Sequence, residues 1–434
     1  MDIIDLIEKK KNGLGLSENE IKFVIDEYVK GNIPDYQMSA FLMAVWFIGM
    51  SYQEINYLTI TMAHSGEMLD LSSIPGIKVD KHSTGGVGDK TTLALIPMVA
   101  AAGVPVPKIS GRALGHTGGT IDKLESINNF KTDIPIGKFI ENVKNIKASI
   151  ISASANISPA DKKIYALRDV TGTTDSIPLI ASSIMSKKIA GGADAFVLNV
   201  TVGEGAFLKN ISDATSLAEI MVNVGQSNHK KTYAIISSME QPLGYAVGNS
   251  LEVQEAIELL NNRGPSDLRE LCFFLGSYML VAGGVTKNQN EGFLLLEDIV
   301  KSGKALKKFT EIVENQNGQA SQITNPSLLP RTRYQKDIYS HKKGYIKKLE
   351  AKTIGQAAML LGAGRKKKDE HIDLSVGIVL KKKIGDEIDT GEILATVYYN
   401  DNEKFNLIKE SVQRAFHIAV TKTKVKPLIL KVIG

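Results

Sequence analysis

The chain has 434 residues, 43% hydrophobic and 23% charged, the balance of a folded globular protein, which excludes a disordered or fibrous one. Its net charge is only +5, and the Lys-rich patches at residues 366–368 and 381–383 read as solvated surface, not as a nucleic-acid footprint. One cysteine, Cys272, rules out an internal disulfide or cysteine-based zinc site; with no signal-peptide pattern or long apolar run, a cytoplasmic protein of several domains is expected.

Residues 1–67 read as helical. Ser17 and Ser51 each stand three residues before a glutamate, Glu20 and Glu54, and open capping boxes; Pro34 suits the start of the helix between them. From about residue 70 strands alternate with helices, which predicts a mostly parallel sheet covered on both faces. Residues 158–192 read as two helices that return to the helical domain. A strand over 195–200 then resumes the α/β domain, which runs over 70–157 and 193–325. After a linker around 325–334, residues 331–434 read as a C-terminal α+β domain with a small barrel-like β element. That spacing resembles a biotinyl or lipoyl carrier, but no lysine sits at a hairpin tip, so the element is read as structural.

Two glycine-rich loops dominate the α/β part. Residues 81–90 (KHSTGGVGDK) follow a short β run at 77–79, and residues 110–120 (SGRALGHTGGT) follow one at 104–109. Each opens into a helix. Glycines let consecutive N–H groups converge on an anion that the helix N-terminus also favours, so the pair reads as a divided phosphate cradle. Gly88-Asp89-Lys90-Thr91 resembles the end of a triphosphate-binding loop, yet Ser83 holds the place where that motif needs a glycine. His82 carries the side chain best suited to proton donation near neutral pH. His116 reads as structural. Farther on, Ser183 and Lys187 are four residues apart on one helix face and Arg168 ends the helix before it, offering two cations and a hydroxyl to one ligand.

These two loops, continuing as TIDKLESI, closely resemble the signature of the thymidine and pyrimidine-nucleoside phosphorylases, along essentially the whole chain. The resemblance implies reversible phosphorolysis of uridine, thymidine and deoxyuridine to the free base and α-D-(deoxy)ribose 1-phosphate, by a homodimer with no organic cofactor. It implies phosphate contacts from Lys81, His82, Ser83, Thr92, Lys108, Ile109, Ser110 and Thr120. ALRDV (166–170) and SSIMSKK (182–188) look like the family's base-binding segments, which makes Arg168, Ser183 and Lys187 base ligands and, with His82, the catalytic set. A potassium ion is implied at oxygens of Gly88, Lys90, Leu243, Ala246 and Glu255, mostly backbone carbonyls. Lys90 departs from the threonine frequent in relatives, and Asn199-Val200-Thr201 from Asp-Val-Lys, which reads as the loss of a matched charge pair. Lys108 fits the enzymes that accept uridine; strict thymidine phosphorylases tend to carry methionine there. The alternatives are such a strict enzyme, an anthranilate-type phosphoribosyltransferase, or a nucleoside-binding protein without activity.

Overall fold

In the computed structural model, which describes residues 1–112, 118–153, 156–365 and 370–434, the chain begins with four helices. They are α1 (Ile3–Lys11), α2 (Glu18–Lys30), α3 (Asp35–Ile48) and α4 (Tyr52–Ala63). Both expected capping boxes form: the Ser17 and Ser51 hydroxyls accept from the Glu20 and Glu54 backbone, and each glutamate reaches back to its cap. Glu54 also pairs with Lys10 at 2.8 Å with both side chains buried, fixing α1 on α4. Met38, Phe41, Leu42 and Val45 bury one face of α3, while Tyr36 and Phe47 on the same helix are 75% and 73% exposed.

The sheet then starts with β1 (Val79–Ser83), α5 (Thr91–Ala101), β2 (Val106–Ser110), α6 (Thr120–Leu124), α7 (Ile136–Ile146) and β3 (Ala148–Ser152). β2 and β3 pair in parallel, and Val79 N donating to Pro105 O sets them beside β1. Helices α8 (Pro159–Thr171) and α9 (Ile177–Ala190) leave the sheet; Ala160, Ile164 and Leu179 join the core made by Val24, Phe41 and Leu58 of the first four helices. The chain returns as β4 (Ala195–Val202), α10 (Ile211–Ser227) and β5 (Lys231–Ser238). β1, β4 and β5 are parallel, with Val79 opposite Ala195 and Ala195 opposite Lys231. Every residue of β4 is buried. Ala195 and Val197 face one core and Phe196, Leu198 and Val200 the other, as a strand covered on both sides requires.

A short β6 (Ala246–Val247) precedes α11 (Asn249–Leu260), α12 (Ser266–Ala282), α13 (Gln289–Lys301), α14 (Lys304–Asn315) and α15 (Ser321–Thr324). The rest comprises β7 (Tyr334–Tyr339), β8 (Gly344–Leu349), α16 (Ala351–Ala358), β9 (Gly377–Leu380), β10 (Glu387–Ile388), β11 (Ile393–Tyr399), α17 (Asn402–Arg414), β12 (Phe416–Ala419) and β13 (Ile429–Ile433). In place of the barrel-like element stand two open sheets, ordered β10-β8-β12 and β6-β9-β11-β7, and among the described residues none closes on itself. The C-terminal segment also fails to remain separate. β13 pairs antiparallel with β5 and so completes the main sheet, Ile433 opposite Ala234.

Candidate functional site

Lys81, His82 and Ser83 lie inside β1 and not in the loop after it, because the strand expected over 77–79 runs over Val79–Ser83. β2 likewise ends on Ser110. Parallel strands deliver their carboxyl ends to one edge of the sheet, which brings the first glycine loop together with residues 110–112 and 118–120 of the second around a cleft of about 690 Å³. His82, Ser83, Thr92, Lys108, Ile109, Ser110 and Thr120 all line it. His116 falls outside the described residues, as do Thr117 and the lysines at 366–368.

The first loop is held open by its own polar contacts. Gly85, Gly86 and Gly88 have φ of 89°, 147° and 75°, a region that favours glycine. The Asp89 carboxylate accepts from Ser83 Oγ at 2.5 Å, Thr91 N at 3.1 Å and Thr91 Oγ1 at 2.6 Å. Burial alone would raise its pKa; Lys81, Lys123 and these hydroxyls hold it well below the usual carboxylate range. From β4, Thr201 Oγ1 bonds to Gly85 O at 2.5 Å and to Thr84 Oγ1 at 2.9 Å. Beside it Asn199 Oδ1 accepts from Ser237 at 2.7 Å. The neutral pair at 199 and 201 therefore has work of its own, clamping the loop and bridging β4 to β5.

Lys81 departs from expectation. It is fully buried behind the cleft, with Nζ at 2.5 Å from Thr91 Oγ1 and 3.3 Å from Thr92 Oγ1. Thr92, which lines the cleft, stands between it and the Lys81 ammonium. Two further lysines meet at Asp80: Lys108 Nζ at 3.3 Å, which also donates to Lys81 O, and Lys188 Nζ at 2.6 Å, which also reaches Ile109 O at 3.2 Å. Burial, then neighbouring cations, pushes Lys108 down to about 7 despite Asp80. His82 faces the same field; burial and Lys188, Lys108, Lys81 and Lys187 put its pKa well below the ordinary value, so the imidazole is neutral at pH 7. The cleft rim beside β1 and β2 is thus an anion-seeking surface.

Across the cleft, α8 and α9 supply the other wall, with Tyr165, Arg168, Ile180, Ser183, Ile184 and Lys187 lining it. Arg168 is 1% exposed and donates to Thr173 O at 3.1 Å, Thr174 O at 2.8 Å and Leu179 O at 3.1 Å. A guanidinium has five N–H groups, so two remain for a ligand. Lys187 Nζ bonds to Asp161 Oδ2 at 2.5 Å and Ser183 Oγ at 3.2 Å. Ser183 accepts in that bond and keeps its own proton to donate. Asp80, Asp161, Lys188 and Tyr165 were not singled out from the sequence. They work through partners as far as 108 positions away, a separation that carries no local signal.

The five positions expected to supply cation oxygens also converge. Gly88 packs so closely on Leu243 and Ala246 that a Cβ there would stand 2.7 Å from Leu243 O. The centre of the cluster is Lys90 Nζ, 2.8 Å from Leu243 O, 2.7 Å from Ala246 O and 2.6 Å from Glu255 Oε2. Lys90's own carbonyl accepts from Leu93 N at 3.0 Å in the first turn of α5.

Residues 4–66 match the helical bundle domain of the glycosyl transferase family, residues 76–306 its a/b domain, and residues 345–419 the pyrimidine nucleoside phosphorylase C-terminal domain. A pyrimidine-nucleoside phosphorylase of Geobacillus stearothermophilus is 52% identical over 429 residues, 99% of each chain. One of Staphylococcus aureus strain MSSA476 is 51% identical over 434 residues, covering 99% of this chain and all of that one. The crystal structure of anthranilate phosphoribosyltransferase from Thermus thermophilus superposes with a TM-score of 0.59 at 19% identity, over 73% of this chain and 100% of that one, a likeness of fold.

Proposed function

The chain belongs to the glycosyl transferase family as one of its pyrimidine-nucleoside phosphorylases, and from that premise we propose that the cleft performs phosphorolysis of uridine, thymidine and deoxyuridine. One observation carries the reading: a single cavity has hydroxyl- and glycine-lined strand ends on one wall and Arg168, Ser183 and Lys187 on the other. Phosphate held by Ser83, Thr92, Ser110, Thr120 and backbone N–H groups of the glycine loops would present an oxygen to C1′. As that oxygen bonds to C1′, the C1′–N1 bond breaks and its electron pair leaves with the base. The two spare N–H groups of Arg168 and one of Lys187 then meet the negative charge that develops on the pyrimidine. His82, being neutral, serves as a hydrogen-bond donor to a base carbonyl and does not act as a strong acid. Ser183 orients the base.

The phosphoribosyltransferase alternative needs carboxylates free to hold magnesium on a pyrophosphate. Asp89 is taken by Ser83 and Thr91, and Asp122 by Arg112 and Arg365. The reading extends to a homodimer through the exposed apolar face of α3, with Tyr36, Trp46, Phe47 and Ile48, and to the cytoplasm, in keeping with one free, buried cysteine. No described helix is long and apolar enough to cross a membrane. Incubation with uridine and inorganic phosphate tests the activity. Uracil and pentose 1-phosphate should appear in equal amounts; uracil release that persists without phosphate would overturn the assignment.

A further inference from the structure

Potassium does not fit the oxygen cluster that the family resemblance assigned to it. An ammonium has three N–H groups, and Lys90 gives all three: to Leu243 O, Ala246 O and Glu255 Oε2, at 2.8, 2.7 and 2.6 Å. An ion seated among the same oxygens would have to occupy the same point as Nζ. Lys90 is 0% exposed, so its charge is met by these three oxygens and not by bulk solvent. Burial works against its charge, yet Glu255 and Glu252 keep the amine protonated and raise its pKa above the ordinary value. Charge is conserved as well: a neutral side chain with a bound monovalent cation, and a lysine without one, each bring a single positive charge to Glu255.

The surroundings treat Nζ as the organising centre. Glu255, having accepted from Lys90, uses its carboxylate to cap Tyr245 N at 2.9 Å and Ala246 N at 3.1 Å. Lys383 reaches over from the C-terminal segment to Gly244 O and Asp267, both at 2.8 Å, and to Pro242 O. Four carbonyls of the 242–246 turn are therefore saturated by two lysine side chains. The turn in turn holds the first glycine loop, Leu243 N donating to Val87 O at 3.0 Å. Lys90 is the N-cap residue of α5, so its cation and the anion-binding loop share one backbone.

We propose that the Lys90 ammonium is a tethered replacement for the monovalent cation, so that the ordering of the phosphate loop, and catalysis with it, is independent of potassium. This rests on the family reading for the ion that is replaced; thermal unfolding, which needs no turnover, separates its failure from that of the activity. Purified parent protein is compared in potassium chloride and in choline chloride at equal ionic strength. The melting temperature and kcat/KM for phosphate are expected to agree between the two salts, the latter within twofold. A saturable rise in either with potassium, beyond threefold in kcat/KM, would overturn the proposal, and this arm needs no variant. Lys90→Thr, which vacates the oxygens, should melt lower in choline and recover both melting temperature and turnover as potassium is added. A folded Lys90→Thr indifferent to potassium would show that the cluster cannot take an ion and would equally overturn it.

Discussion

Replacing Lys187 by Met keeps the length of the side chain and removes its charge, which separates two jobs that the structure gives to one ammonium. Lys187 pairs with Asp161, a carboxylate only 5% exposed, while its own side chain is 34% exposed. Breaking a fully buried pair costs about 3–5 kcal/mol; with water reaching one side, about 1–2 kcal/mol of stability is expected here. The third N–H is the one that would meet the departing base, and removing a donor aimed at developing negative charge lowers kcat by about 100- to 1000-fold, roughly 3–4 kcal/mol. Asp161→Asn added to Lys187→Met takes away the unpaired carboxylate and should restore most of the stability. It should restore none of the turnover. Denaturant unfolding and steady-state uracil release measure the two quantities side by side. Turnover of the single variant within threefold of the parent, or recovery of turnover in the double one, would refute the role given to Lys187.

Lys108→Met should lower kcat/KM for uridine relative to thymidine by about 1–3 kcal/mol, the worth of one hydrogen bond, because the resemblance ties lysine at this position to acceptance of uridine; parallel assays of both nucleosides test it, and an unchanged ratio would leave Lys108 without that part. His82 is neutral in the fold, whereas in the unfolded chain it takes up a proton below about pH 6.5. The unfolded state then binds more protons, so stability falls as pH drops through that value. His82→Asn should flatten the loss between pH 7 and 5.5, read from urea midpoints at the two pH values.

The parts of the molecule that were legible in the sequence are those encoded locally. Ser17 with Glu20 and Ser51 with Glu54 are three residues apart, and the caps formed where the spacing said they would. Gly85, Gly86 and Gly88 advertise backbone that other residues rarely adopt, and the loop is there. Strand limits were less accurate: β1 takes in Lys81, His82 and Ser83, because pairing with β4 in register from Val79 to Ser83 outweighs the turn propensity of the polar run. Long-range pairings left no trace. Nothing near Lys187 names Asp161 as its partner, nothing near Thr201 points to Thr84, and the retreat of Lys81 behind Thr91 and Thr92 depends on how α5 settles against β1. Lys90 was visible as a departure, but the direction of its side chain follows from where the 242–246 turn lands, some 150 residues on.

The last strand has a consequence for how the polypeptide stays in one piece. β13 joins the sheet through the backbone of β5, Ile433 opposite Ala234, while the connector at 420–427 is almost wholly exposed. A protease cutting that connector would release no fragment at once, because the severed peptide would still be zipped along its neighbour by main-chain hydrogen bonds. Such a nicked molecule would migrate whole under native conditions and split only in denaturant. Loss of the peptide would bare the edge of β5, whose unpaired N–H and C=O groups are a template for aggregation.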